Sequence, residues 1–259
     1  MKRILVTGGN GFVGKAVVKL LRRSNYLVNV WDRDKDGSVL DGSSRKRILD
    51  SGDFQAVIHL AWNSISDKNY DRNMLNMKFA QETVKFRSEI LSRGIQFVSM
   101  GSFFEGTPVE TENLYQKSKI EIANKCMEDS FHNTIWFKPS YIFSFSALRP
   151  RVINAISNDP SVQIQNPENY CDWIEVRDVA SAVEYSLQLN QCGRINLSSG
   201  INLNVREFTS KFRQLSELYE NLENLDGNLQ DGRKIDVQQV QNQINMSSSA
   251  ITQQYLTTL

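Results

Sequence analysis

Histidine and cysteine are scarce in this chain. Two histidines, His59 and His132, in 259 residues are too few for a histidine-rich metal site, and no metal is expected. The three cysteines, Cys126, Cys171 and Cys192, are scattered, odd in number and without C-x-x-C spacing. That pattern argues against a disulfide framework and a zinc site, and for free thiols in a reducing cytosol. An excess of one charge is also missing. Lys and Arg number 30 against 29 Asp and Glu, a net charge of +1, so no global field draws the chain to nucleic acid or to an anionic membrane. No apolar run approaches the ~20 residues that span a bilayer. Only a short apolar run separates Met1-Lys2-Arg3 from Gly8, too little for the core of a signal peptide. The expectation is a cytoplasmic protein with no nucleic-acid and no membrane partner. With 40% hydrophobic and 23% charged residues, the composition suits one large α/β domain or one domain with a small appendage.

What is present begins at once. The stretch Thr7-Gly8-Gly9-Asn10-Gly11-Phe12-Val13-Gly14 follows the apolar run Ile4-Leu5-Val6 and opens an apolar-periodic segment from Phe12 to Leu21. This order spells strand, glycine turn, helix. Gly8 permits a tight turn, Gly11 lets a pyrophosphate approach the backbone, and Gly14 lets the helix pack close to the strand. The helix N-terminus then offers N–H groups and a positive dipole end to phosphates. Glycine turns also join strands to helices that bind nothing. Here the second strand, Tyr26 to Trp31, ends at Asp32, whose carboxylate can accept hydrogen bonds from both ribose hydroxyls of an adenosine. That favours NAD, although Arg33 could pair with the 2′-phosphate of NADP. A plain turn role for Asp32, before Asp34, Asp36 and Gly37, is the alternative.

The rest of the chain continues a βαβα rhythm. Residues 38–41 read as a brief third strand and 43–51 as a short basic helix. Ala56 to Ala61 has the length and apolarity of a buried parallel strand, with His59 as a structural residue. Residues 63–72 are polar and loop-like. A long amphipathic helix is expected over 73–93, a strand over 95–100 ending in Gly101-Ser102, a helix over 115–130 and a strand over 134–138 closed by Pro139. That alternation predicts a doubly wound parallel sheet. Beyond Pro139 the pattern loosens: helices near 151–157, 179–189 and 205–218, and strands at 173–176 and 194–197. After about residue 220 the chain is rich in Asn and Gln, and order in its last ~15 residues is not expected.

Tyr115-Gln116-Lys117-Ser118-Lys119 carries chemistry. On a helix, residues four apart share a face, so Tyr115 and Lys119 stand together. Bringing a phenol from a pKa near 10 to about 7 requires about 4 kcal/mol of phenolate stabilisation. An ammonium one turn away supplies part of it. The tyrosine can then exchange a proton with a substrate hydroxyl or carbonyl, and Ser102 at a strand end can hydrogen-bond the same oxygen. Tyr-x-x-x-Lys alone is a weak signal, equally a solvated helix face.

Several further pieces join these: Asp53 with Ala56-Val57-Ile58-His59-Leu60-Ala61, Asn73 and Asn76, Ser99-Met100-Gly101-Ser102, Lys138-Pro139-Ser140-Tyr141, Asp172 to Val179, Asn196 to Gly200, and Val205 to Phe208. Together over about residues 1–210 they resemble an extended short-chain dehydrogenase/reductase, of the NAD-dependent epimerase/dehydratase group that acts on nucleotide sugars. The resemblance implies a Rossmann-type doubly wound parallel sheet with a small C-terminal substrate lobe. Residues 1–145 would form the NAD(P)-binding domain, and residues 146–259 the substrate lobe, interleaved with it. Tyr115 would be the general acid/base. Lys119 would lower its pKa and hold the nicotinamide ribose. Ser102 would orient the substrate oxygen, with Ser99 the less favoured candidate. Gly8, Gly11, Phe12 and Val13 would line the pyrophosphate, Asp32 or Arg33 would meet the adenosine ribose, and Leu60, Ala61, Asn76 and Pro139 would lie along the cofactor. A homodimer through the 73–93 and 115–130 helices is also implied.

Departures from the family pattern shape the expected reaction. The stretch between Ser102 and Tyr115 is short, and the chain is shorter than typical members, chiefly in the substrate lobe. Cys171 stands where many members carry an arginine for the nucleotide diphosphate; Arg149, Arg151 or Arg177 would have to replace it. Phe103-Phe104 follows Ser102 in place of the acidic pair of the dehydratases. The resulting expectation is NAD(P)-dependent reduction of a 4-keto-deoxysugar nucleotide, with NAD favoured. Redox-neutral 4-epimerisation, reduction of an unrelated carbonyl and a non-catalytic NAD(P)-binding sensor are the alternatives.

Overall fold

Strand β1, Arg3–Thr7, is apolar at every position from Ile4 to Val6 because both of its faces are covered; those three residues are at most 2% exposed. The computed structural model describes residues 1–62, 70–106, 113–128, 133–144, 168, 170–188 and 192–208. The expected helix near 151–157 and the Asn/Gln-rich tail lie outside them.

From β1 the chain turns into helix α1, Phe12–Arg23, and returns through β2, Leu27–Trp31. Next come α2, Arg33–Asp36, α3, Gly42–Asp50, and β3, Ala56–His59. Then follow α4, Leu75–Leu91, β4, Gln96–Met100, α5, Leu114–Glu128, and β5, Thr134–Pro139. The later elements are β6, Tyr141–Phe143, β7, Tyr170–Glu175, α6, Val176–Ser186, β8, Gly193–Leu197, and β9, Asn202–Asn204.

A six-stranded sheet has the order β2-β1-β3-β4-β5-β8. The pairs β1–β2, β1–β3, β3–β4 and β4–β5 all run parallel. This is the doubly wound Rossmann arrangement: strand order reverses about β1, and ligand crevices open at the carboxyl ends of the strands there. One core cluster joins Leu5, Val57 and Phe97 of the sheet to Leu49 of α3 and Phe86 and Ile90 of α4. Arg45, only 3% exposed, fastens α3 to α4. It donates to Glu89 (2.9 Å) and to Glu82 (2.8 Å), and this pairing offsets the cost of burying its charge. Ala80 of α4 and Ala123 of α5 are buried in a second cluster with Ile122, Cys126 and Trp136. Those two alanines thus pack inside the chain.

The structure divides into two units. The first is Met1–Pro139 with Ala180–Ile195, and the second is Ser140–Val179 with Asn196–Leu259. In the second, a three-stranded sheet has the order β6-β7-β9, parallel between β6 and β7 and antiparallel between β7 and β9. Its described core stacks Trp173 on Phe208 with centroids 3.7 Å apart. Asp172 accepts hydrogen bonds from Ser140 Oγ (2.7 Å), Ser199 N (2.7 Å) and Gly200 N (2.6 Å).

Residues 38–41 are a turn, not the strand their apolar pair Val39-Leu40 suggests. Ser38 Oγ accepts the Leu40 N–H (3.2 Å) and Ser38 O accepts the Asp41 N–H (3.0 Å). A serine that binds the backbone two residues on competes with sheet pairing. The turn delivers Asp41 as the N-cap of α3, where its carboxylate accepts the N–H groups of Ser43 and Ser44. The short strands β6 and β9 also escape the periodicity of the sequence.

Close approach of α1 to β1 depends on Gly14. A Cβ there would meet the Gly8 carbonyl oxygen at 2.1 Å and Gly9 Cα at 2.7 Å, and neither can retreat. Gly14→Ala is therefore expected to destabilise the protein by about 1–3 kcal/mol, read by urea denaturation. Gly11→Ala, whose Cβ would meet only Gly8 O at 3.1 Å, is expected to cost less.

Candidate active site

Three groups of residues gather beyond the carboxyl ends of the parallel strands. The first is the glycine turn. Gly8 has φ +70°, and a Cβ on it would meet Ala61 N at 2.6 Å. The turn closes with Gly11 N donating to Gly8 O (2.9 Å). Helix α1 then starts at Phe12-Val13 with Gly11 as its N-cap and no side-chain cap. A helix start of this kind is fitted to a phosphate. Thr7 Oγ1 accepts the Ala61 N–H (3.2 Å) and bonds His59 Nδ1 (2.8 Å), while His59 Nε2 bonds Thr83 Oγ1 (3.1 Å). Leu60 and Ala61 are thus pinned against the turn. Burial, with Lys119 and Arg45 adding repulsion, pushes the His59 imidazole down to about 3, so it is neutral and structural, as its place in a buried strand suggests.

The second group lies beyond β2. Asp32 Oδ1 accepts the Asp34 N–H (3.0 Å), and the Asp32 N–H is donated to Asp36 Oδ2 (2.8 Å). One carboxylate oxygen caps α2, and Asp32 lines a groove together with Gly9, Asn10, Val18 and Val30. Arg33 is not among the residues that line this groove; its side chain is 85% exposed and lies 3.6 Å from Asp34. The cations that do line the groove are Lys15, Lys19, Arg22, Arg23 and Lys35. Sequence reasoning looked to the neighbour of Asp32 and missed them. Their signal was present as basic residues at positions 15, 19 and 22, one face of α1.

The third group surrounds Tyr115. Asn113 Oδ1 accepts the Gln116 N–H (2.8 Å) at the start of α5, and Tyr115 stands on the first turn. Lys119, one turn on, is only 5% exposed. Its Nζ donates to Met100 O (3.3 Å), sits 3.4 Å from the centroid of the Trp62 ring and 5.7 Å from that of Tyr115. Burial draws the Lys119 ammonium down to about 7, against an opposing pull from Glu105. The Tyr115 ring is enclosed by Tyr70 (5.1 Å), Phe104 (6.2 Å) and Trp62 (6.3 Å). Ser102 is 7% exposed and its Oγ accepts a long contact from Phe104 N (3.4 Å). Ser99, the other serine considered, spends its hydroxyl on His59 O (2.7 Å) and ties β4 to β3.

Other expected residues sit as follows. Asn76 is fully buried and uses both ends of its amide: Oδ1 accepts the Trp62 indole N–H (3.0 Å) and Nδ2 donates to Tyr70 O. It braces Trp62 against the chain at Tyr70. Pro139 is buried at the end of β5. In the second unit, Arg177 Nε is paired with Glu175 (3.0 Å), and Cys171 shares a hydrogen bond with the Tyr141 side chain. Arg149 and Arg151 lie outside the described residues. Neither Trp62 nor Glu105 was singled out in the sequence, since neither belongs to a motif.

Comparison with known proteins follows the same lines. The model of the NAD dependent epimerase/dehydratase family matches residues 4–198. A GDP-6-deoxy-D-talose 4-dehydrogenase of Aggregatibacter actinomycetemcomitans is 25% identical over 242 residues, covering 83% of this chain and 80% of that protein. A dTDP-6-deoxy-L-talose 4-dehydrogenase (NAD(+)) of the same organism is 23% identical over 245 residues, covering 81% and 88%. Among solved structures, dTDP-4-dehydrorhamnose reductase of Bacillus anthracis in complex with NADP has a TM-score of 0.69 at 16% identity, over 84% of this chain and 82% of that one. At that identity the likeness is one of fold.

The lowered Lys119 value has a sign that can be tested. Between about 7 and the ordinary 10.5, the unfolded chain holds a proton on Lys119 that the folded chain does not. Stability therefore rises with pH across that window, and the cost of burying the charge is fully present below it. Thermal unfolding from pH 6 to 10 is expected to show this upward slope in the wild type and a flatter curve in Lys119→Met. Equal slopes would place the ammonium in solvent.

Proposed function

The chain belongs to the NAD dependent epimerase/dehydratase family, and from that premise we propose that it is a nucleotide-sugar ketoreductase acting at the 4-position of a deoxysugar. The observation that carries this reading is the buried Lys119 beside Tyr115, within an aromatic enclosure next to Ser102. The two curated relatives are named as 4-dehydrogenases of 6-deoxysugar nucleotides, the same interconversion of a hydroxyl and a ketone at that carbon.

The fit to a nicotinamide dinucleotide rests on the glycine turn, where a Cβ on Gly8 or Gly14 would fill the cradle. Gly8, Gly11, Phe12 and Val13 would hold the pyrophosphate, and Leu60 and Ala61 would pass along it. Asp32 offers its second oxygen to ribose hydroxyls, which keeps NAD favoured, while Lys15, Lys19 and Arg22 give NADP a place for its extra phosphate. When bound, the cofactor supplies or accepts the hydride. The chain does the rest. Ser102 holds the carbonyl oxygen, and Tyr115 gives that oxygen a proton as the carbon is reduced. Lys119 lowers the cost of the phenolate that is left. Tyr70, Phe104 and Trp62 pack around the tyrosine ring and hold it in place. In the oxidative direction Tyr115 accepts the proton. The second unit would carry the sugar nucleotide.

The test is to incubate the protein with GDP- and dTDP-linked 4-keto-6-deoxyhexoses and NADH or NADPH, following absorbance of the reduced nicotinamide. Stoichiometric loss is expected, with Tyr115→Phe lowering turnover at least about a hundredfold and leaving the dissociation constant for NADH within about twofold. Full activity in Tyr115→Phe would remove the tyrosine from the reaction. Tight cofactor binding with no turnover on any sugar nucleotide would favour a sensor, and interconversion of C4 epimers without net loss of NADH would favour an epimerase.

A further inference from the structure

A carboxylate lies behind the serine turn, and proton transfer from Tyr115 does not by itself require it. After β4 the chain makes a single 3-10 turn, Phe103–Gly106, and Glu105 folds back under it. The Glu105 side chain is 0% exposed. Its Oε1 accepts the Ser102 N–H (2.8 Å), while the Glu105 N–H is donated to Ser102 O (3.1 Å). The two residues are therefore locked reciprocally. The Trp136 indole N–H is shared between both carboxylate oxygens at 3.2 Å, and Arg194 of β8 pairs with Oε2. Gln116 Nε2 fastens the same turn to α5 through Phe104 O (3.1 Å). Gly101 exists to admit this carboxylate: a Cβ there would fall 1.6 Å from Glu105 Oε1.

The arrangement also brings opposite charges to one short piece of backbone. The Lys119 ammonium donates to the carbonyl of Met100, and Glu105 accepts the N–H of Ser102. Only Gly101 separates the two. Among the described residues, the other ionisable neighbours of Lys119 are His59 of β3, held neutral, and Tyr115 on its own helix. Glu105 thus provides the favourable charge. Around Glu105 the cation in contact is Arg194, whose side chain is 30% exposed and whose field is partly screened by solvent.

We propose that Glu105 is a positioning residue of the active site, fixing the Ser102 turn and placing a buried negative charge one residue along the backbone from the carbonyl that holds Lys119. The proposal rests on the reading of Ser102, Tyr115 and Lys119 given above. Glu105→Gln is nearly isosteric and keeps an acceptor for the Ser102 N–H, but removes the charge. Without it, burial acts on Lys119 unopposed, and the lysine loses its proton at lower pH.

The test uses NADH binding, followed by cofactor fluorescence against pH, in the wild type, Lys119→Met, Glu105→Gln and Glu105→Asp. All four are first checked by circular dichroism melts. Binding in the wild type should weaken as Lys119 deprotonates, and Lys119→Met should lack that limb. Glu105→Gln should move its midpoint to lower pH by about half a unit to one unit, and Glu105→Asp, which keeps the charge, should hold it near the wild-type position. An unmoved midpoint in Glu105→Gln, even with a lower melting temperature, would reduce Glu105 to a structural residue and overturn the proposal. If Lys119→Met retains the limb, the assignment of Lys119 to the cofactor has failed, and this proposal with it. Should Glu105→Gln not fold, a wild-type midpoint in Glu105→Asp supports the proposal and a midpoint shifted as far as one unit overturns it.

Discussion

Placing an ammonium in the protein interior sets terms that the surrounding chain has to meet. Burying one charge costs several kcal/mol unless its surroundings compensate. Around Lys119 the compensation comes from three sources: the Met100 carbonyl, the face of the Trp62 indole and the field of Glu105. Each of these needs support of its own. Trp62 is oriented by Asn76, Asn76 is held by Tyr70, and Glu105 is held by Ser102, Trp136 and Arg194. Much of the third group of the site can be understood as the set of contacts that makes this one lysine tolerable.

The phosphate cradle obeys a different constraint, the closeness of backbones. The Gly8 turn abuts the chain leaving β3, and α1 abuts the turn itself, with no room for a Cβ at Gly8 or Gly14. Thr7 couples the two by bonding both Ala61 and His59. The cradle and the Tyr115 group therefore share one rigid platform, the carboxyl ends of β1, β3 and β4, whose register is fixed by parallel pairing. Preorganisation of this kind lets a few side chains act without reordering when a ligand arrives.

The parts legible in the sequence were those governed by period or by backbone sterics. The glycine turn, the parallel strands with their continuous apolar runs and helices such as Phe12–Arg23 all follow from local rules. The strand expected over 38–41 did not form, because Ser38 and Asp41 divert the backbone into a turn. Arg33 seemed a rival to Asp32 by adjacency alone, yet helical geometry turns it to solvent and brings α1 lysines to the groove instead. Trp62 and Glu105 were invisible for another reason. Trp62 meets Lys119, and Glu105 meets Trp136 and Arg194, across long sequence separations, while the local bond of Glu105 to Ser102 belongs to no motif.

The fit between Gly101 and Glu105 has an evolutionary consequence. A side chain at 101 would fall on the carboxylate, and loss of the carboxylate would take away the acceptor shared by the Trp136 indole, Arg194 and the Ser102 amide. The dependence is one-sided: glycine at 101 leaves room for a change at 105, whereas no larger residue fits at 101 while Glu105 holds its place. A lineage can therefore change position 105 first, and only then position 101.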